Sequence, residues 1–102
     1  DKAISYYKKI IEQQPENVIT LNNLAFKTFK QKNYILAKEY ALKALQVSPK
    51  DPNVLDTIGW IAFAKGETDE ALEYLREAYN LAPNNQEIKS HYLEVQKAVS
   101  GN

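Results

Sequence analysis

The chain has 102 residues, enough for one domain, and its 44% hydrophobic and 25% charged content is that of an ordinary globular protein. Thirteen basic and thirteen acidic side chains cancel, so it lacks the electrostatic footprint of nucleic-acid binding and the clustered basic charge that anionic membranes attract. It has no Cys, which excludes disulfides, thiolate metal sites and cysteine nucleophiles, and no apolar run nears the roughly 18 residues of a membrane-spanning helix.

Apolar residues recur at helical spacing along the whole chain. They predict six helices, at about 1–14, 18–31, 35–47, 52–65, 69–81 and 86–99. The first carries Ile4, Tyr7 and Ile11 on one face, a face that a preceding helix would normally cover. Together with the absence of any Met, this marks the chain as a piece of a longer polypeptide. The compartment stays open, with a lean towards the cytoplasm.

Pro15 stops the first helix and Asn17 is placed to cap the second. In that second helix Leu21, Leu24, Ala25 and Thr28 lie at i, i+3, i+4 and i+7, one face of a helix. Lys32-Asn33 makes the next turn, with Asn33 as the residue able to take the left-handed conformation. The third helix presents Ala37, Ala41, Ala44 and Leu45.

Pro49 ends it, Asp51 caps the fourth helix, and Pro52 takes the first helical position. Leu55, Ile58 and Gly59 follow, and Gly66 breaks the pattern. The fifth helix has Ala71, Leu75 and Ala78 inside and a charged face of Asp69, Glu70, Glu73, Arg76 and Glu77. Acids there follow acids at i+4, so the face reads as solvated surface. After Pro83 and Asn85 the sixth helix carries Lys89 where the second and fourth carry Leu21 and Leu55, a polar closing helix of the kind that solvates a solenoid end.

One period organises all of this. Pro15, Pro49 and Pro83 recur every 34 residues, as do Ala3, Ala37 and Ala71, and Asn17, Asp51 and Asn85. Leu24 aligns with Ile58, Ala25 with Gly59, and Ala44 with Ala78. A fixed period of this length signals a repeat architecture. The short connections make neighbouring helices antiparallel. Ala25 and Gly59 are expected to face Ala37 and Ala71, so that helix backbones approach closely, with Leu21, Leu24, Tyr34, Leu55, Ile58 and Leu75 filling the space around them.

With the run Leu21–Leu24–Ala25, Tyr34, Ala37, Ala44, Pro49 and its echo Leu55–Ile58–Gly59, Gly66, Ala71, Ala78, Pro83, the sequence resembles the tetratricopeptide repeat over essentially its whole length. It departs from the family pattern at Leu21 and Leu55, where Trp is common, and at Thr28 and Ala62, where Tyr is common. The stretch from Leu55 to Trp60 is similar to a run in bacterial and archaeal repeat proteins, including ones associated with exopolysaccharide export. The resemblance implies an all-α fold, with antiparallel hairpins stacked as a right-handed superhelix. It implies a frame of 1–17 as the second helix of a truncated repeat, 18–51 and 52–85 as full repeats, and 86–102 as a capping helix.

The resemblance also implies that the first helix of each repeat lines a concave groove. Carried over by position, the groove would present Asn22, Asn23, Phe26, Phe29 and Lys30, then Asn53, Asp56, Thr57, Trp60 and Phe63, then Ser90, His91, Glu94 and Lys97. Four large rings on one concavity exceed what hairpin packing needs and read as binding anchors, against the plainer reading that some turn inward and fill gaps. Some family members hold a C-terminal carboxylate with a Lys/Asn/Arg clamp. Asn23 matches its central Asn, but Glu87 and His91 stand where basic groups are needed.

Seven tyrosines fall mostly on second helices and read as half-buried packing. His91, the single histidine, reads as a packing or solvated residue, and no GxGxxG, P-loop, HExxH or nucleophile-elbow pattern appears. The sequence therefore leads to a non-enzymatic scaffold for a protein or peptide, with no cofactor and no metal. The alternatives are a self-association module, dimerising through its uncovered first helix, and a non-catalytic appendage of a larger protein.

Overall fold

The computed structural model describes residues 2–101, and among them the chain is helical in six stretches with no strand. They are α1 (Lys2–Gln13), α2 (Val18–Lys30), α3 (Tyr34–Val47), α4 (Pro52–Ala64), α5 (Thr68–Leu81) and α6 (Gln86–Val99).

Their starts are set by short polar side chains that take up otherwise unpaired backbone N–H groups. Asn17 Oδ1 accepts from the Thr20 amide at 3.0 Å, Asp51 Oδ1 from Asn53 at 2.9 Å, and Asn85 Oδ1 from Ile88 at 3.1 Å. Asn33 is a fourth cap, accepting from the Leu36 amide at 3.3 Å. This corrects the sequence expectation for the α2–α3 turn. A capping residue keeps a negative φ, and Asn33 has φ −91°, so the left-handed step falls one residue earlier. Lys32 takes it with φ +65°, the counterpart of Gly66 with φ +85°. Both turns close by the same pair of bonds. Lys32 N–H donates to Phe29 O and Asn33 N–H to Thr28 O; Gly66 N–H donates to Phe63 O and Glu67 N–H to Ala62 O. This satisfies carbonyls that the helix end leaves free.

The helices zigzag, each packing on the next, while α2, α4 and α6 also touch along one side. Three helices thus form an inner row, and α3 and α5 lie outside it. The core is a chain of small clusters at successive interfaces. Leu21, Ala44 and Val54 meet between α2, α3 and α4, and Leu55, Ala78 and Ile88 repeat that arrangement one period later. Ala44 and Ala78 therefore mediate hairpin-to-hairpin contact, as the repeat suggests.

Within the hairpins the packing differs. Ala25 shares a cluster with Ala37 and Ala41. At Gly59 the nearest neighbour is Leu75: a Cβ built there would stand 2.8 Å from Leu75 Cγ and 3.2 Å from Tyr74 Cβ. The missing methyl makes room for a leucine rather than for a second small residue.

The charged face of α5 is also more than solvated surface. Lys38 of α3 reaches Glu67 at 3.3 Å and Glu70 at 3.1 Å, and Lys50 reaches Glu77 at 3.0 Å. The i+4 reading missed these pairs because their basic partners belong to the preceding hairpin. Of the tyrosines, Tyr6 is exposed and the other six are half-buried. Lys89 is exposed, while α6 buries Ile88 and Val95.

Candidate functional site

The inner row bounds a groove with a volume near 470 Å³, lined chiefly by α2 and α4 and closed at one end by α6. Its floor is apolar because Val54 and Ile61 are buried there. Its walls carry side chains one or two positions round each helix from the core face. The groove brings together Asn22, Asn23, Phe26, Phe29, Asp56, Thr57, Trp60 and His91. Five residues singled out from the sequence do not line it: Lys30, Phe63, Ser90, Glu94 and Lys97. Lys30 holds its Nζ 4.8 Å from the centroid of the Phe26 ring, on the rim. Phe63 sits against Trp60, with ring centroids 5.4 Å apart, and packs on Ala62, Ala71, Leu75 and Val95. Glu94 is exposed on α6.

Asn53, expected from the sequence, lines the groove as well, and so do Ile19, Asp51 and Glu87, which were not placed there. The period contained the signal for Ile19 and Glu87, because they occupy the seat of Asn53 one repeat earlier and one repeat later.

The most structured corner joins α4 to α6. Asp56 is only 7% exposed. Its Oδ1 lies 2.8 Å from His91 Nδ1, so the imidazole N–H donates to a buried carboxylate. The His91 ring stacks on Trp60 with centroids 4.0 Å apart and planes 18° apart. The hydrogen bond that His91 donates to Asp56 raises its pKa above the ordinary 6.5; burial works against this, and the charges of Asp56, Glu87 and Glu94 work with it. One donor atom each from Asp56, Glu87 and His91 lie within 4.8 Å of one another. The histidine is thus a packing residue, as expected, but one with two carboxylates at hand.

The equivalent seat between α2 and α4 is plainer. Asn22 stands where Asp56 does, and Thr57 where His91 does. Thr57 spends its hydroxyl on the Asn53 carbonyl at 2.9 Å, and Asn22 Oδ1 is buried with no hydrogen-bond partner.

Among the described residues that line the groove, Asp51, Asp56 and Glu87 are acidic and none is Lys or Arg.

The family model of the tetratricopeptide repeat matches residues 16–84, both hairpins of this stack. The chain belongs to the tetratricopeptide-repeat family. A TPR repeat-containing protein of Pseudomonas aeruginosa is 36% identical over 83 residues, 80% of this chain and 14% of the relative. One of Methanocaldococcus jannaschii is 33% identical over 78 residues, 76% of this chain and again 14% of the relative. The chain therefore spans about a seventh of the length of these curated relatives.

Among solved structures, the first TPR of Spaghetti (RPAP3) bound to the HSP90 peptide SRMEEVD superposes with a TM-score of 0.88 at 22% identity, covering 96% of this chain and 78% of that one. The Sgt2 TPR domain from Aspergillus fumigatus gives 0.89 at 21% identity, covering 95% and 66%. At such identities the likeness shows the fold. In this tetratricopeptide-repeat stack, α2, α4 and α6 are the concave row. Along it, Asn22 and Asp56 share one seat; Asn23, Thr57 and His91 a second; Phe26, Trp60 and Glu94 a third.

Proposed function

We propose that this chain is a protein-interaction module that holds a peptide segment or helix of a partner across Phe26 and Trp60. The observation that carries this reading is Phe26. It is a large ring, 42% exposed, on a groove wall whose neighbours are packed. Exposed aromatics in a concavity are the usual anchors of a recognition surface. The buried, unpaired Asn22 Oδ1 supports it, because such an acceptor is ready for a partner's N–H. Asn22 and Asn23 together are placed to bond the main chain of the bound segment. A family of interaction scaffolds and a neighbour solved with a bound peptide point the same way.

Phe26→Ala is the cleaner test, because Trp60 is tied into packing through His91 and Phe63. The substitution should weaken capture of the native partner by about 2 kcal/mol or more while leaving thermal unfolding nearly in place. Unchanged capture would overturn the reading.

Self-association is favoured by one separate observation. None of the described residues of α1 is buried, and Tyr6 stands 63% exposed. Light scattering at high concentration decides that alternative, and a strict monomer eliminates it. The appendage reading rests on the 14% share this stretch takes of its longer relatives. In that arrangement the groove brings a partner to activity held elsewhere.

A further inference from the structure

We infer that the segment this groove takes is cationic, with an arginine side chain seated between Asp56 and Glu87 beside the Trp60–His91 stack. The inference rests on the peptide-groove reading and names the chemistry of its occupant.

The chain as a whole is neutral, with thirteen charges of each sign, but the groove is not. Asp51, Asp56 and Glu87 line it, and His91 is its only basic group. Even a protonated His91 leaves the concavity net negative. Asp51 is engaged in capping α4, its Oδ1 accepting from the Asn53 amide, but the other two carboxylates keep acceptor capacity. His91 uses Oδ1 of Asp56, and Glu87 forms no ion pair among the described residues.

The charged or buried groups of the groove with unmet capacity are acceptors. Glu87, the second oxygen of Asp56 and the buried Asn22 Oδ1 are acceptors. What they lack is donors, and a guanidinium supplies five in a planar fork. The aromatic content suits the same group, because a cation is attracted to a ring face. The rim already shows such a contact, with the Lys30 ammonium 4.8 Å from the Phe26 centroid.

A metal ion fits the corner less well. The donor set holds one imidazole, whose Nδ1 is engaged with Asp56, whereas zinc sites favour several nitrogen or sulfur ligands. An acidic tail of the kind solved with the RPAP3 domain, SRMEEVD, carries the wrong sign for these walls.

The single tryptophan is a direct reporter, because Trp60 lines the groove. The test titrates a short capped peptide of leucine and arginine into the chain and follows Trp60 emission, with calorimetry in parallel. The same peptide with citrulline, with glutamate, and zinc chloride alone are the other arms. The arginine peptide should bind at least about tenfold tighter than the citrulline peptide, and added salt should narrow that gap. Glu87→Lys, an exposed position whose change spares the core, should remove about tenfold of the arginine peptide's affinity, and Glu87→Gln should remove less.

Equal binding of the citrulline or glutamate peptide, sensitive to Phe26→Ala, would sink the charge inference and leave the groove reading standing. If no peptide perturbs Trp60, the groove reading fails and this inference fails with it. Zinc binding that outcompetes the arginine peptide and vanishes in Glu87→Gln would overturn the inference in favour of a metal site.

Discussion

The hairpins α2–α3 and α4–α5 follow one 34-residue template, yet they fill equivalent seats differently. Inside the hairpin the first sets Ala25 in one cluster with Ala37 and Ala41, and the second sets Gly59 against Leu75. Small against small and nothing against large occupy similar space. At the turn, the first places Lys32 in the left-handed region and the second places Gly66 there. On the groove wall, the first leaves Asn22 Oδ1 unpaired, whereas the second buries an acid–imidazole pair. The repeat therefore keeps summed volume and backbone path rather than residue identity, and the departures fall in the hairpin core, at the turn and on the groove wall.

The largest effect expected from breaking this comparison is at Leu75. Leu75→Ala removes a fully buried side chain and should destabilise the chain by about 2–5 kcal/mol in urea unfolding. Gly59→Ala alone should also destabilise, because overpacking of about 1–3 kcal/mol exceeds the gain of about 1 kcal/mol from better helix propensity. In the Leu75→Ala background the obstruction is gone, and Gly59→Ala should turn stabilising. A cycle with no change of sign would refute the paired-volume account.

The turn exchange should be smaller. Gly66→Lys makes the second turn copy the first, and nothing lies within 4 Å of the added Cβ. Its cost is backbone strain alone, about 1–2 kcal/mol. Lys32→Gly should move stability the other way by less than about 1 kcal/mol, since relief of strain is offset by a freer unfolded chain. Thermal unfolding of both variants measures the asymmetry.

The acid–imidazole seat should appear as a pH dependence that the Asn22 seat lacks. Because Asp56 raises the folded-state pKa of His91 above 6.5, its contribution is complete below that value and is lost as pH climbs through the raised one. Melting temperature should therefore fall as pH rises from 6.5 through the raised value, with a flatter profile in His91→Asn. Glu67, whose pKa is lowered by its hydrogen bond from Lys38, acts in the opposite sense and only in acid, where stability falls as pH drops. A wild-type profile as flat as the variant's would show that the pair does not couple to folding.

Much of the fold was legible because it is written in apolar spacing, Pro and caps, which act locally. Six helices and their ends follow from residues such as Asn17, Asp51, Pro52 and Asn85. The misreadings came where two elements share one decision. Asn33 looked like the left-handed residue until its capping bond placed that burden on Lys32. Gly59 looked like a partner of Ala71, and it is Leu75 that stands nearest the place of its missing methyl. The α5 acids looked unpaired within their own helix, and their lysines come from α3 and the loop that follows it.

The candidate site shows the same division. Position in the repeat located Phe26, Asp56, Trp60 and His91 on one side of the stack. It did not reveal that Asp56, His91 and Trp60 form one connected unit, because that requires knowing how α6 docks on α4.

The row of nearest-neighbour contacts has one more consequence. α4 touches α2, α3, α5 and α6, and seven of its residues are buried, whereas α1 rests on α2 alone with none buried. In such a linear array opening spreads inward from the ends. Amides of α1 should exchange with solvent soonest and those of α4 last, so the helix bearing Asp56 and Trp60 is also the last to come apart. A ligand seated there would meet a wall that is already rigid and would spend little of its affinity on ordering it.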